Sequence, residues 1–271
     1  MSNKSRDNEI LRLLEESPSQ FVSVESLAEY FKTSESTIRR DLQRMGDEHR
    51  ILRVHGGATS LHFSGNFKFD RLDKEYLERE RTEPETKKII ARRAAQLVKD
   101  GSCVYMDAST TVASMIPFLP PMKNTYFVTN SPLLAQKMAE KNLICYVTGG
   151  ELKISTNAFI GSFALEFLKR FNFDMGFFGT NGIHPQAKFT TPDPQECAIK
   201  STVISKCFNI YILADHSKFD NIATATFCDF NRPILITDTC DDKYKSLIKT
   251  IEVNPAGNNT QNAPATKGDE K

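Results

Sequence analysis

The sequence predicts a two-part α/β chain, a small helical head with a β-wing followed by a larger parallel-sheet domain. Three observations predict it. Apolar residues recur at helical spacing from Ile10 to Met45. From Cys103 onward, short β-branched or aromatic runs alternate with amphipathic segments and end in small polar residues. A charge-rich stretch, Lys68 to Lys99, joins the two patterns.

The head is built element by element. Ile10, Leu11, Leu13 and Leu14 form one apolar stripe up to about Ser17. Ser23 is placed to cap a second helix that turns Leu27, Ala28 and Phe31 inward, and a turn follows at Lys32-Thr33. Ser34 is placed to cap a third helix whose Ile38, Leu42 and Met45, at i, i+4 and i+7, face a core. That leaves Ser36, Thr37, Arg39, Arg40 and Arg44 outward, and the arrangement is a helix-turn-helix. A helix fits the major groove, small hydroxyls allow close approach, and arginine forks onto guanine or phosphate. Ile51 to Ala58 alternates and then turns on Gly56-Gly57, which reads as a two-stranded wing carrying Arg53 and His55. The head is not basic overall, and winged helices also serve as protein-interaction modules. Against that, five arginines fall between Arg39 and Arg53, with three acids in the same span.

In the joining stretch Phe69, Leu72 and Tyr76 recur at helical spacing. Thr82-Glu83-Pro84-Glu85 then has the form of a capping box with a first-turn proline, opening a helix with Ile89, Ile90, Ala94, Leu97 and Val98 inward.

Five apolar runs of the larger domain end in polar tips. Cys103 to Met106 ends at Asp107, Tyr126 to Val128 at Thr129-Asn130, and Ile144 to Val147 at Thr148-Gly149-Gly150. Phe177-Phe178 ends at Gly179 to Gly182, and Tyr211 to Ala214 at Asp215 to Lys218. Helical segments follow several of them, including Pro132 to Glu140 and Glu196 to Lys206. Strands alternating with helices mean a parallel sheet, whose ligands bind beyond the carboxyl ends of its strands. The tips therefore converge on one crevice. At Asp107-Ala108-Ser109-Thr110-Thr111, three consecutive hydroxyl residues open a helix after a strand and offer backbone and side-chain donors to an anion. Ordinary capping by Ser109 or Thr110 is the alternative. Lys218 and Lys200 offer positive charge, and Asp107, Asn181 and Glu196 offer partners for sugar hydroxyls.

The whole-chain quantities narrow the function classes. The 271 residues allow one large domain or two modest ones. A net charge of +1, from 35 Lys plus Arg against 34 Asp plus Glu, excludes a global field toward polyanions or membranes, so any nucleic-acid contact is local. Apolar runs such as Leu143 to Val147 fall far short of the roughly 18–20 residues that span a bilayer. The polar opening, Met1 to Ile10, has no apolar signal-peptide region, which predicts a cytoplasmic protein. Six cysteines lack C-x-x-C spacing and read as reduced core thiols. No phosphate-binding glycine motif, nucleophile elbow or histidine metal spacing occurs, so neither cofactor nor metal is expected. The Phe-rich stretch Phe159 to Phe178 reads as core, with a dimer interface as the alternative.

Phe21 to Val24 with Leu27-Ala28, then Ser34 to Leu42, then Arg53 to Ala58, closely resemble the winged helix-turn-helix of the DeoR family of bacterial sugar-operon regulators. The resemblance implies that Thr37, Arg39 and Arg40 face operator DNA and that Arg53 and His55 lie in the wing. Asp107 to Thr111, Val128 to Ser131, Gly149-Gly150, Gly179 to Ile183, Thr190 to Asp193 through Glu196 to Lys200, and Asp215 to Phe219 resemble that family's effector domain. That domain is similar in fold to ribose-5-phosphate isomerase and CoA transferases. Three positions depart from the family pattern: His49 and Ser109 stand where glycine is common, and Asn181 where aspartate is common. Losing that carboxylate removes a potential catalytic base.

The reading is a non-enzymatic repressor of a carbohydrate operon, controlled by a phosphorylated sugar. A sugar-phosphate isomerase or transferase with an accessory helix-turn-helix is the alternative, and a purely structural adaptor a third. The expected divisions are a winged helix-turn-helix at 1–61, a connector at 62–84, an effector domain at 85–252 and a disordered tail at 253–271. Partners are double-stranded operator DNA and a sugar phosphate, with no membrane, in a homo-oligomer, dimer or tetramer. Effector contacts are expected from Asp107, Ser109, Thr110, Thr111, Thr129, Asn130, Gly149, Gly150, Gly179, Asn181, Gly182, Glu196, Lys200, Asp215 and Lys218.

Overall fold

The computed structural model describes residues 3–16, 21–48, 50–54, 57–60, 69–70, 75–253 and 259–262. It divides the chain into two compact units, Met1–Phe67 and Lys68–Lys271.

In the first unit the apolar stripes become α1 (Asn3–Glu16), α2 (Val24–Tyr30) and α3 (Glu35–Asp47), with β1 (Phe21–Ser23), β2 (Ile51–Val54) and β3 (Gly57–Ser60) in an antiparallel sheet ordered β1-β3-β2. Ser23 caps α2 by accepting from Ser26 N at 3.0 Å, and Ser34 caps α3 by accepting from Thr37 N at 3.3 Å, as their positions predict. Ile10, Leu14, Leu27, Ile38, Leu42, Met45, Ile51 and Ala58 make the core.

The second unit opens with β4 (Phe69–Asp70), α4 (Tyr76–Arg81) and α5 (Pro84–Ala95). Then come β5 (Cys103–Met106), α6 (Thr110–Ala113), β6 (Tyr126–Thr129), α7 (Pro132–Glu140) and β7 (Ile144–Val147). A hairpin of β8 (Glu151–Lys153) and β9 (Ala158–Ile160) leads to α8 (Ser162–Leu168) and β10 (Phe173–Gly179). β11 (Gly182–His184), β12 (Lys188–Thr191), α9 (Pro194–Ile204), β13 (Cys207–Leu213), β14 (Ile222–Ala223) and β15 (Ala225–Cys228) follow. The chain ends through β16 (Ile234–Thr237), α10 (Asp242–Lys245), β17 (Lys249–Val253) and β18 (Asn259–Asn262).

Eight strands form one sheet ordered β18-β17-β16-β13-β10-β5-β6-β7, parallel except at β18. Alternation along each strand supplies two cores. Val104, Met106, Phe127 and Phe177 pack on one face with α5 to α7, while Tyr105, Val128 and Phe178 pack on the other with α8 to α10. The Phe-rich stretch falls largely within the second core, where Phe173 and Phe178 are fully buried.

Three expectations change. The connector is largely part of the second unit, because β4 pairs with β14 and α4 packs on α6. The tail is not wholly irregular: β18 pairs antiparallel with β17 and covers one sheet edge. The capping box before α5 does not form, since Glu83 occupies the cap position at φ 49° without a side-chain cap. Pro84 needs no such cap, because it brings the helical φ and has no N–H to satisfy. Among the described residues no helix is long and apolar enough to cross a membrane, and no group of three metal-ligating side chains converges.

Candidate functional site

Polar tips of four parallel strands surround a cavity of about 580 Å³. That is the crevice where open parallel sheets bind ligands, and the volume suits a small molecule. β5 supplies Asp107 and the Ser109–Thr111 turn, β6 supplies Asn130, β10 supplies Gly179, Thr180 and Asn181, and the segment after β13 supplies Ser217 and Lys218. Glu196 and Lys200 reach it from α9.

Not every expected residue lines it. Gly149 and Gly150 follow β7, the edge strand, away from the β5–β10 centre. Gly150 has φ 126°, and a Cβ there would come 2.6 Å from Ile160 O, so it serves the turn into β8. Thr129 spends its hydroxyl on Ser131 N at 3.1 Å. Gly182 lets Asn221 O approach to where a Cβ would be 2.3 Å away. Asp215 is fully buried and holds Ser217 through the Ser217 backbone N–H at 3.0 Å and the Ser217 hydroxyl.

Within the cavity, Asp107 does not face a ligand as a free acceptor. Its Oδ2 accepts from Gly179 N at 3.1 Å and from Lys200 Nζ, which also donates to Gly179 O at 3.0 Å. The pair is almost wholly buried and ties the ends of neighbouring strands β5 and β10 together. Ser109 lies over Gly179, where a Cβ would sit 2.2 Å from its Oγ, so only glycine fits there. Glu196 is paired with Lys153 at 3.4 Å. Asn181 Oδ1 accepts from the Thr191 hydroxyl at 3.4 Å. His216 donates its backbone N–H to Asp238 at 2.8 Å and sets Nδ1 2.6 Å from the same carboxylate, which raises the imidazole's pKa and steadies the segment bearing Ser217 and Lys218.

Arg79, Thr82 and Lys87 also line the cavity, from α4 and α5. Nothing in the sequence marks them, because they lie in a charge-rich run that reads as a solvated face. Lys87 is 4% exposed and donates to Thr82 O at 2.6 Å and to Arg79 O, carbonyls at the end of α4. Burial pushes its pKa down to about 8, opposed by Asp215 and Glu83 and reinforced by Lys218 and Arg79. An unfolded-chain lysine keeps its proton to about 10.4, so between about 8 and that value the unfolded state binds more protons and folding gains stability as pH rises. Urea unfolding of wild type and Lys87→Met at pH 7 and pH 9.5 should therefore show the wild type gaining relative to the variant. A pH-independent difference would place the Lys87 pKa near its ordinary value.

In the first unit, Ser36, Arg39 and Arg40 are exposed on α3 and Thr37 is half-buried. Arg39 reaches Glu35 at 2.7 Å, and Arg53 is exposed and donates to Gln43. Arg44 departs from expectation. It grips Asp7 of α1 with two bonds of 2.7 and 2.8 Å, and this guanidinium holds the nearly buried carboxyl below its usual range. His55 and the His49 departure lie outside the described residues.

The chain matches the model of the DeoR-like helix-turn-helix domain over residues 6–63 and that of the DeoR C terminal sensor domain over residues 82–239. It is 36% identical over 237 residues to an uncharacterized HTH-type transcriptional regulator FruR of Bacillus subtilis, covering 85% of this chain and 92% of that protein. It is 29% identical over 258 residues to the glycerol-3-phosphate regulon repressor of Escherichia coli, covering 91% and 99%. Among solved structures, ribose 5-phosphate isomerase A from Methanocaldococcus jannaschii aligns at 15% identity and a TM-score of 0.38, over 50% of this chain and 54% of that one.

Proposed function

Because the chain belongs to the DeoR family, we propose that it is a DNA-binding transcriptional repressor of a carbohydrate operon, acting in the cytoplasm and controlled by a phosphorylated sugar. The observation that carries the effector reading is the charge of the cavity. Arg79, Lys87, Lys200 and Lys218 line it against two carboxylates, Asp107 and Glu196, so four cations minus two anions leave an excess of two. A phosphate ester of about −1.5 to −2 charge matches that excess. The Ser109–Thr111 turn and Lys218 take the phosphate in this reading, with Asn181, Asn130 and Glu196 nearer the sugar hydroxyls. A thermal-shift screen of sugar phosphates against their unphosphorylated parents tests it, since a ligand of the native state raises the midpoint. Equal shifts for both sets defeat it.

Regulators, not enzymes, carry the names of the relatives, and the cavity's chemistry agrees with that. Proton abstraction from a sugar carbon needs a carboxylate free to take the proton, whereas Asp107 and Glu196 are held in ion pairs. Turnover of a sugar phosphate by the purified protein would favour the isomerase reading instead.

For operator recognition, Thr37, Arg39 and Arg40 on α3 face the DNA, and two heads in a homo-oligomer double the contacts. Light scattering that finds a monomer bound to operator would defeat the oligomer. Arg40 and Arg44 separate two roles on one helix. Arg40→Ala should weaken binding to operator DNA selected with the wild type by about 1–3 kcal/mol and leave unfolding unchanged. Arg44→Ala should instead destabilise the first unit by about 1–3 kcal/mol, because it leaves the Asp7 carboxylate short of a partner. Gel-shift titration with denaturant unfolding reads both, and the opposite pattern would exchange the assignments.

A further inference from the structure

The first helix of the second unit is a wall of the effector cavity, through Arg79. Its Nε and Nη2 are shut off from solvent and meet no hydrogen-bond partner among the described residues. Arg79 is half-buried, and guanidinium does not deprotonate in proteins, so leaving two of its donors shut in and unpaired is costly, while its planar fork matches a phosphate. α4 and α5 both pack against α6, which brings Arg79 and Lys87 to the side of the cavity where the Ser109–Thr111 turn lies. Two of the other three cations there are already engaged, and Lys218 remains beside Arg79 to meet the anion. Lys200 is neutralised by Asp107, while Lys87 spends bonds on carbonyls of α4.

α4 itself is short, held at its start by the buried Tyr76 and at its end by Lys87, with Glu80 paired to Lys137 at 3.4 Å. It has six residues, no side-chain N-cap, an exposed Leu77, and an anchor from Tyr76 N to Ser155 O at 2.8 Å. A helix that short depends on tertiary contacts. The preceding strand, β4, pairs with β14, which directly follows the cavity residue Asn221. The opening elements of the second unit, those that continue the chain from the DNA-binding head, are thus both fastened to cavity walls.

We infer that the effector's anionic group is clasped between Arg79 and the Ser109–Thr111 turn, so that occupancy locks α4, and that this lock is how the cavity reports to the DNA-binding head. This rests on the effector reading above and adds to it the residue that transmits the signal. Arg79 is a binding and positioning residue in this scheme.

Inorganic phosphate is the probe, because it carries the anion without committing to a sugar. Titration followed by ³¹P NMR gives its affinity, and amide hydrogen exchange of residues 76–81 gives the state of α4. In the wild-type full chain, phosphate should slow exchange across α4. Arg79→Gln should weaken phosphate about tenfold or more and abolish that protection, while Arg79→Lys should restore part of the affinity. If Arg79→Gln fails to fold, as circular dichroism would show, the wild-type exchange experiment and Arg79→Lys still decide. Phosphate bound by the wild type with α4 exchange unchanged overturns the inference and leaves the effector reading standing, as does Arg79→Gln binding like the wild type. A wild type that binds neither phosphate nor any sugar phosphate overturns both.

Discussion

Lys200→Met should destabilise the second unit by about 3–5 kcal/mol, the cost of stranding a buried carboxylate. Lys200 and Asp107 have side chains 7% and 5% exposed, so the little water that reaches them from the cavity replaces only part of the lost ammonium around Asp107. The same ammonium also donates to Gly179 O at 3.0 Å, and its loss frees a second buried acceptor. Methionine keeps most of the volume of the lysine stem, so little of the effect comes from a cavity. Adding Asp107→Asn should recover most of the stability, because an amide oxygen still accepts from Gly179 N and no charge is left buried. Urea unfolding of the two single variants and the double variant measures the coupling. A Lys200→Met loss under about 0.5 kcal/mol would mean that the pair is solvated and not a clamp between β5 and β10.

The parts of the fold that were legible are those written in local pattern. β5, β6, β7 and β13 stand where apolar runs end in polar residues, and α2 and α3 start at serines that do cap them. Convergence of tips follows from the parallel topology, which is why Asp107, Asn130, Asn181 and Lys218 all line one cavity. What was not legible depends on partners distant in sequence. Arg44 looks like any outward arginine until α1 brings Asp7 beside it, and Asp107 looks like a ligand contact until α9 brings Lys200. Arg79 and Lys87 were hidden differently: alternating charge is the ordinary signature of a wet helix face, and only the fold of α4 and α5 over α6 turns it inward. β18 is polar throughout, so no hydrophobic alternation announced it.

Replacing Thr110 and Thr111 together by Val should remove the response to the sugar phosphate while operator binding persists. Both residues are nearly buried, at 6% and 5% exposure, and both line the cavity at the mouth of β5. Valine has threonine's shape and the same β-branched restriction of χ1, so α6 should keep its fold and its packing against α4 and α5. What disappears is two hydroxyl donors. A hydrogen bond to a charged group contributes about 1.5–3 kcal/mol, so losing two should weaken binding by about 100-fold or more. The free sugar lacks the anion, so its weaker binding should hardly change between wild type and variant. That difference is the diagnostic result, because a general distortion of the cavity would weaken both ligands alike. Calorimetry against the sugar phosphate found by the thermal-shift screen and its parent sugar, paired with operator release in gel shift, reads each quantity separately. Wild-type affinity for the phosphorylated ligand in the double variant would show that its anion is held by the Arg79, Lys87 and Lys218 side chains without these hydroxyls. An equal loss for both ligands would show that the Ser109–Thr111 turn shapes the cavity and does not read charge.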